Sequence, residues 1–205
     1  GDNTIIICPG VAGDLCAADV EARKDLIANA TVFATQLEQP MDAALRGLQI
    51  ARYAGTRTIL NPAPAAALPD EMLGLCDFVT PNETEAEALT GIAVSSPQDA
   101  ERAAADLLTK GAGAAIITLG EQGALYHDGT QTAHIAACRA GPVVETTGAG
   151  DAFNGGFAAA LARGLAPVDA AHWGNATAAL SVTRPGTAAS MPEFAEIAAL
   201  MGQSG

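Results

Sequence analysis

The run Glu145-Thr146-Thr147-Gly148-Ala149-Gly150-Asp151-Ala152-Phe153-Asn154-Gly155-Gly156 places small residues and one carboxylate where a helical pattern begins. Small side chains at 148 to 150 let the main chain approach a ligand closely, and the first N–H groups of a helix have no acceptor within it. Such a turn suits an anion. A carboxylate at Asp151, beside those donors, could take the proton of a hydroxyl attacking a phosphorus atom held there. The same residues also suit a glycine-rich turn in which Asp151 merely complements the helix dipole. Two further segments bear on that choice. Thr80-Pro81-Asn82-Glu83-Thr84-Glu85-Ala86-Glu87 gathers acids and amides after an apolar run. They could serve Mg²⁺ through the waters it retains, or form a charged first helical turn. Ser181-Val182-Thr183-Arg184-Pro185-Gly186-Thr187-Ala188-Ala189-Ser190 offers hydroxyls and carbonyls to a cation, and equally reads as a plain connection.

The elements that must hold these segments alternate in type. Thr4–Cys8, 31–36, 56–60, 77–80 and 114–119 are short apolar or β-branched runs, each ended by a polar, proline or glycine segment, and read as strands. Residues 17–30 and 41–53 read as helices, the second with Ala44, Leu45, Leu48 and Ala51 on one face. Residues 69–75 predict a short helix. Ser96-Pro97 supplies a cap and a first-turn proline for a helix carrying Ala100, Ala103, Ala104, Leu107 and Leu108. Residues 123–137 lack helical periodicity, and Asp128-Gly129 marks a hairpin. A short strand is expected at 142–144, then helices dominate from 149 to 200. Asp14 and Asp19 read as capping residues, and His172 and Trp173 as packing or surface residues. The alternation predicts one α/β domain over 1–205 with a mostly parallel sheet, its ligand at the carboxyl ends of the strands.

Composition narrows the possible functions. The 205 residues carry 23 acids against 10 bases, a net charge of -13, which disfavours nucleic acid and anionic membrane surfaces. No apolar run approaches the roughly 18 residues of a membrane span. Cys8, Cys16, Cys76 and Cys138 are scattered without a Cys-x-x-Cys pair, so neither a disulfide framework nor a zinc site is expected. Four reduced thiols and the lack of a signal-peptide pattern point to a cytoplasmic protein.

Taken together the motifs resemble the ribokinase family of sugar kinases, also called the pfkB carbohydrate kinases. The resemblance rests on Thr80 to Glu85, on Thr118-Leu119-Gly120-Glu121-Gln122-Gly123, on Thr147 to Asp151 and on Arg184-Pro185-Gly186, in the family's order. Asn61-Pro62-Ala63-Pro64-Ala65 and Ser190-Met191-Pro192 favour its ribose-specific members. The fold this implies is a Rossmann-type α/β sandwich. The implied reaction is ATP-dependent phosphorylation of D-ribose to ribose 5-phosphate. In it Asp151 is the base, and the N–H groups of Gly148, Ala149 and Gly150 are the anion hole for the transferring phosphoryl group.

By the same resemblance, Asn82 and Glu85 belong to the Mg²⁺ and phosphate environment. Thr118, Gly120 and Gly123 run along the nucleotide, Asn175 sits where the family contacts adenine, and Glu38 matches the position that binds sugar hydroxyls. A K⁺ ion would be held at Glu145, Thr147, Ser181, Arg184, Gly186 and Ser190. The family usually has Asp at the place of Glu145, so this site carries an extra methylene. Family members also begin with a strand, a Gly-Gly-Lys-Gly-Ala-Asn segment that grips the sugar, and a β lid through which they commonly dimerise. None is found here, and the chain reads as the C-terminal two-thirds of a family-length kinase. Another sugar or nucleoside kinase of the family, or a nucleotide-binding module without activity, is the alternative expectation.

Overall fold

The computed structural model describes residues 10–203, so the expected strand at Thr4–Cys8 lies outside the described residues. Six strands form one sheet in the order β1 to β6: Val32–Thr35, Arg57–Leu60, Phe78–Val79, Ala114–Thr118, Ala124–His127 and Thr132–Ile135. The first four run parallel, with Ile59 opposite Phe78 and Phe78 opposite Ala114. β5 and β6 are antiparallel to their neighbours, with Thr118 opposite Ala124 and Ala124 opposite Ile135. The hairpin turn falls at Asp128-Gly129 as expected. There the Asp128 carboxylate accepts the Thr130 and Gln131 N–H groups, both at 2.8 Å.

The sheet is covered on both faces, which its strands require because they are apolar at successive positions. Leu60, Val79, Ala115 and Ile117 face a core completed by α3 (Met41–Ala54), α4 (Glu83–Thr90) and α5 (Pro97–Thr109). Their neighbours Ile59, Phe78, Ala114 and Ile116 face the opposite core, built with Phe153, Phe157 and Leu161 of α6 (Ala149–Ala162) and with α7 (Pro167–Ser181). The period of two is what divides each strand between the cores. Phe157 meets Phe78 edge-on, with ring centroids 5.2 Å apart. A last helix, α8 (Phe194–Gln203), packs on α7, where Phe194 stacks on Trp173. No described helix is long and apolar enough to cross a membrane.

Three expectations are corrected. Residues 17–30 form two short helices, α1 (Ala17–Glu21) and α2 (Lys24–Ala28), rather than one. They lie against α3 without burying a residue, so no packing enforces a continuous axis. Residues 69–75 give only a turn and a 3-10 segment, Leu73–Leu75, with the poor helix former Gly74 at its centre. Residues 142–144 are not a strand. Pro142 has no N–H to give, and Val143 and Val144 are 61% and 60% exposed, with Val144 N–H reaching the Val182 carbonyl at 2.7 Å.

Candidate active site

The carboxyl ends of β1, β2 and β3 converge on the first turn of α6. After β2, the Asn61 amide donates to the Thr80 carbonyl at 2.8 Å. The Thr80 hydroxyl donates to Asn154 Oδ1 at 2.6 Å, and Asn154 Nδ2 donates back along its own helix to the Gly150 carbonyl at 2.9 Å. The glycine turn is thereby tied to the sheet. After β1, Gln36 Nε2 donates to Asp151 Oδ1 at 2.6 Å. Gln39 clamps that loop by donating to Thr35 Oγ1 and to the Gln36 carbonyl, both at 2.7 Å. Thr35, Gln36, Gln39, Asn61, Asp151 and Asn154 line one polar side of a cleft of about 610 Å³, and Asp19 and Arg23 also line it.

Gly148 is the N-cap of α6 at φ 81, a left-handed conformation that favours glycine. The Ala149 N–H is bound to the Thr146 carbonyl at 3.1 Å, so it is not open to an anion as expected. The N–H groups of Gly148, Gly150 and Asp151 have no acceptor among the described residues. Three donors and one carboxylate therefore share the turn. Glu38 is exposed between Gln36 and Gln39 and stands outside the wall of the cleft.

A second group gathers at the ends of β3 and β4. Asn82 bridges to Thr118 in parallel register. Asn82 Oδ1 accepts the Glu85 N–H at 2.8 Å, and Glu85 Oε2 accepts the Asn82 N–H at 2.9 Å, a reciprocal cap of α4. Burial pushes the Glu85 carboxyl above its ordinary range, while the Asn82 N–H pulls it down. Beyond Thr118, Gly120 opens a 3-10 turn, and Gly123 closes it against β6. Asn175 is buried on α7, its Nδ2 spent on the Ile135 and Ala136 carbonyls at 3.0 and 3.2 Å. Its donors are therefore structural, whatever else the amide oxygen meets.

The candidate cation segments also come together. Glu145 Oε2 accepts the Gly186 N–H at 2.8 Å, and the Glu145 N–H reaches the Val182 carbonyl at 3.2 Å. Ser181 and Ser190 are buried, and their hydroxyls donate to the Ala178 and Thr187 carbonyls at 2.9 and 2.7 Å. Donation leaves the hydroxyl lone pairs free, a donor set that fits a weakly bound monovalent cation. Thr147 is exposed beside them, and the Arg184 guanidinium pairs with Glu196, so only the backbone of Arg184 could serve an ion. No cluster of three His, Cys, Asp or Glu able to hold a metal occurs among the described residues.

Gln36, Asn61, Thr80 and Asn154 escaped the sequence reading as site residues. For Gln36, Asn61 and Thr80 the available signal was a polar side chain at the carboxyl end of a parallel strand, where ligands of open α/β sheets bind; Asn154, inside α6, had none. Comparison with known proteins gives the family of the chain. The family model described as pfkB family carbohydrate kinase matches residues 1–193. The chain is 40% identical over 198 residues to a ribokinase of Staphylococcus aureus, covering 96% of this chain and 65% of that protein. It is 39% identical over 191 residues to a ribokinase of Haemophilus influenzae, covering 93% of this chain and 62% of that one. The structure of an Arabidopsis thaliana ribokinase complexed with ribose and ATP superposes with a TM-score of 0.92 at 27% identity, covering 98% of this chain and 65% of that one. The chain thus spans less than two thirds of the length of these relatives. A family match running through every element that builds the α6 turn leaves one assignment: the chain belongs to the pfkB family of carbohydrate kinases.

Proposed function

We propose that the chain carries the phosphoryl-transfer machinery of an ATP-dependent sugar kinase, with D-ribose as substrate and ribose 5-phosphate as product. One observation carries the reading. At the head of α6, three N–H groups without acceptors among the described residues stand beside a carboxylate that has one oxygen bound and the other open. Asp151 takes the proton of the sugar's primary hydroxyl through Oδ2. The hydroxyl oxygen then forms its bond to the γ-phosphorus, and the bond from that phosphorus to the bridging oxygen of ADP breaks. Charge on the transferring group is met by the N–H groups of Gly148, Gly150 and Asp151, preorganised by Gly148 and by the Asn154 tether.

Asn82, Glu85, Thr118, Gly120, Gly123 and Asn175 make up the nucleotide side, and Glu38, exposed on the loop between Gln36 and Gln39, would meet sugar hydroxyls from outside the cleft wall. Asn82 and Glu85 would hold Mg²⁺ through its waters, which would supply charge neutralisation to the phosphates, and the Glu145 loop would hold a K⁺ that steadies the turn. Names among the relatives favour ribose over other sugars, as does Asn61 to Ala65.

The test is ADP release by the 205-residue chain with ATP, Mg²⁺ and K⁺, comparing D-ribose with no sugar. Ribose-dependent release is expected. Folded protein that releases no ADP in response to ribose contradicts the reading.

A further inference from the structure

Among the described residues six helices carry an acid at their third position: four of these acids bond back onto their own helix start, one makes no such bond, and one is held elsewhere. Asp19 accepts the Cys16 N–H at 3.0 Å, Glu85 the Asn82 N–H at 2.9 Å, and Glu196 the Glu193 N–H at 2.8 Å. Asp99 accepts the Ser95 N–H at 3.3 Å and the Ser96 hydroxyl at 2.8 Å. Asp169, at the start of α7, makes no side-chain hydrogen bond among the described residues, so it neither follows the pattern nor points elsewhere. An acid at this position ordinarily turns back onto its own helix start, because the open N–H groups there attract it. Asp151 occupies the same position in α6, with the Gly148 N–H open to it, yet it is turned away and held by Gln36.

We propose that Gln36 is a positioning residue for Asp151: it holds the carboxylate forward, off the N–H groups of its own helix. Without the Gln36 donor the carboxylate would fall back onto the Gly148 N–H, as Glu85 falls onto Asn82. That single movement would remove the base from the hydroxyl and occupy a donor meant for the phosphoryl group. Gln36 is equipped for the task. Its backbone is fixed through its carbonyl by Gln39, and its amide reaches one carboxylate oxygen only, leaving Oδ2 free. A donor is required at this place. Another carboxylate would repel Asp151, and an apolar side chain would release it. The proposal rests on Asp151 acting as base.

The test compares Gln36→Met and Gln36→Glu with the wild-type chain in ribose-dependent turnover. Met keeps the volume and loses the donor; Glu keeps the shape and sets two carboxylates against each other. Loss of one hydrogen bond to a charged group predicts a kcat about tenfold lower for Met, and repulsion predicts about a hundredfold for Glu. KM for ATP should stay within about twofold, since a positioning effect falls on kcat. In an Asp151→Asn background, Gln36→Met should add nothing, because the two residues act as one unit. A packing role removes the difference: both isosteric variants would then keep wild-type kcat, and that result overturns the proposal. So does full additivity with Asp151→Asn. A wild-type chain without ribose-dependent turnover overturns the kinase reading and this proposal with it, whereas turnover unaffected at Gln36 overturns the proposal alone.

Discussion

One oxygen of Asp151 is bound to Gln36 and the other is open, as the proposed role of general base requires. Asp151→Asn keeps the shape and removes the basicity. General-base catalysis contributes on the order of 10²–10⁴-fold, so kcat should fall about a thousandfold while ATP affinity stays within a few-fold. Steady-state turnover together with ATP titration checks both. A variant that loses ATP binding instead would show Asp151 to be a ligand of the nucleotide. Glu145 invites a sharper substitution than shortening. Its Oε2 links two segments 41 residues apart through the Gly186 N–H. Glu145→Gln retains an oxygen for that bond and deletes the charge. If K⁺ sits there, K⁺ in place of choline should raise the melting temperature of the wild type by ligand linkage, and the rise should vanish in Glu145→Gln. Equal responses in the two proteins would place the cation elsewhere.

At the scale of elements, Gly123 shows how a residue expected at the nucleotide also serves the sheet. It sits at φ 92, ψ -126, and an added Cβ would lie 2.0 Å from the Ile135 carbonyl oxygen. Gly123→Ala should therefore part β6 from the β4–β5 turn and cost at least about 2 kcal/mol in urea unfolding. A variant with wild-type stability and weakened ATP binding would assign Gly123 to the ligand alone. The sequence was most legible where signals were contiguous. Met41 to Tyr53, Ser96-Pro97 and the glycine turn at 148 to 150 each hold their period or cap within a few residues, and the structure follows them. Asn82 and Glu85 were visible through the family resemblance, and the structure adds that they form a reciprocal helix cap. Gln36 and Asp151 lie 115 residues apart, and Thr80 and Asn154 lie 74 apart. No local pattern encodes such contacts; the parallel topology creates them. Residues 17–30 and 142–144 misled because alanine and valine carry propensity even where no neighbour packs on them.

For the molecule as a whole, the two cores hold protons that an unfolded chain would release. Cys76 is buried at 2% exposure, its thiol donating to the Met72 carbonyl at 3.2 Å, and burial pushes it from the ordinary 9.0 up to about 12. Tyr126 lies in the opposite core. Burial first, then the hydrogen bond its hydroxyl gives to Asp128, raises it from 10.0 to about 12. Burial moves Cys138 in the same direction. A group whose pKa is raised by folding contributes its full stability below its unfolded value, and that contribution drains away as pH climbs to the folded value. Between pH 9 and 10 the unfolded state sheds the Cys76 proton while the native state keeps it, so stability should fall by about 1.4 kcal/mol per unit. Above pH 10 Tyr126 joins and the decline steepens, until near pH 12 both native groups ionise. By then Cys76 alone has withdrawn about 4 kcal/mol, a large share of the stability of a typical domain. Urea unfolding at intervals from pH 8 to 12 should trace this two-stage decline. Cys76→Ala, though less stable at pH 8, should show a shallower slope between pH 9 and 10, and an unchanged slope would mean that the thiol ionises freely within the fold.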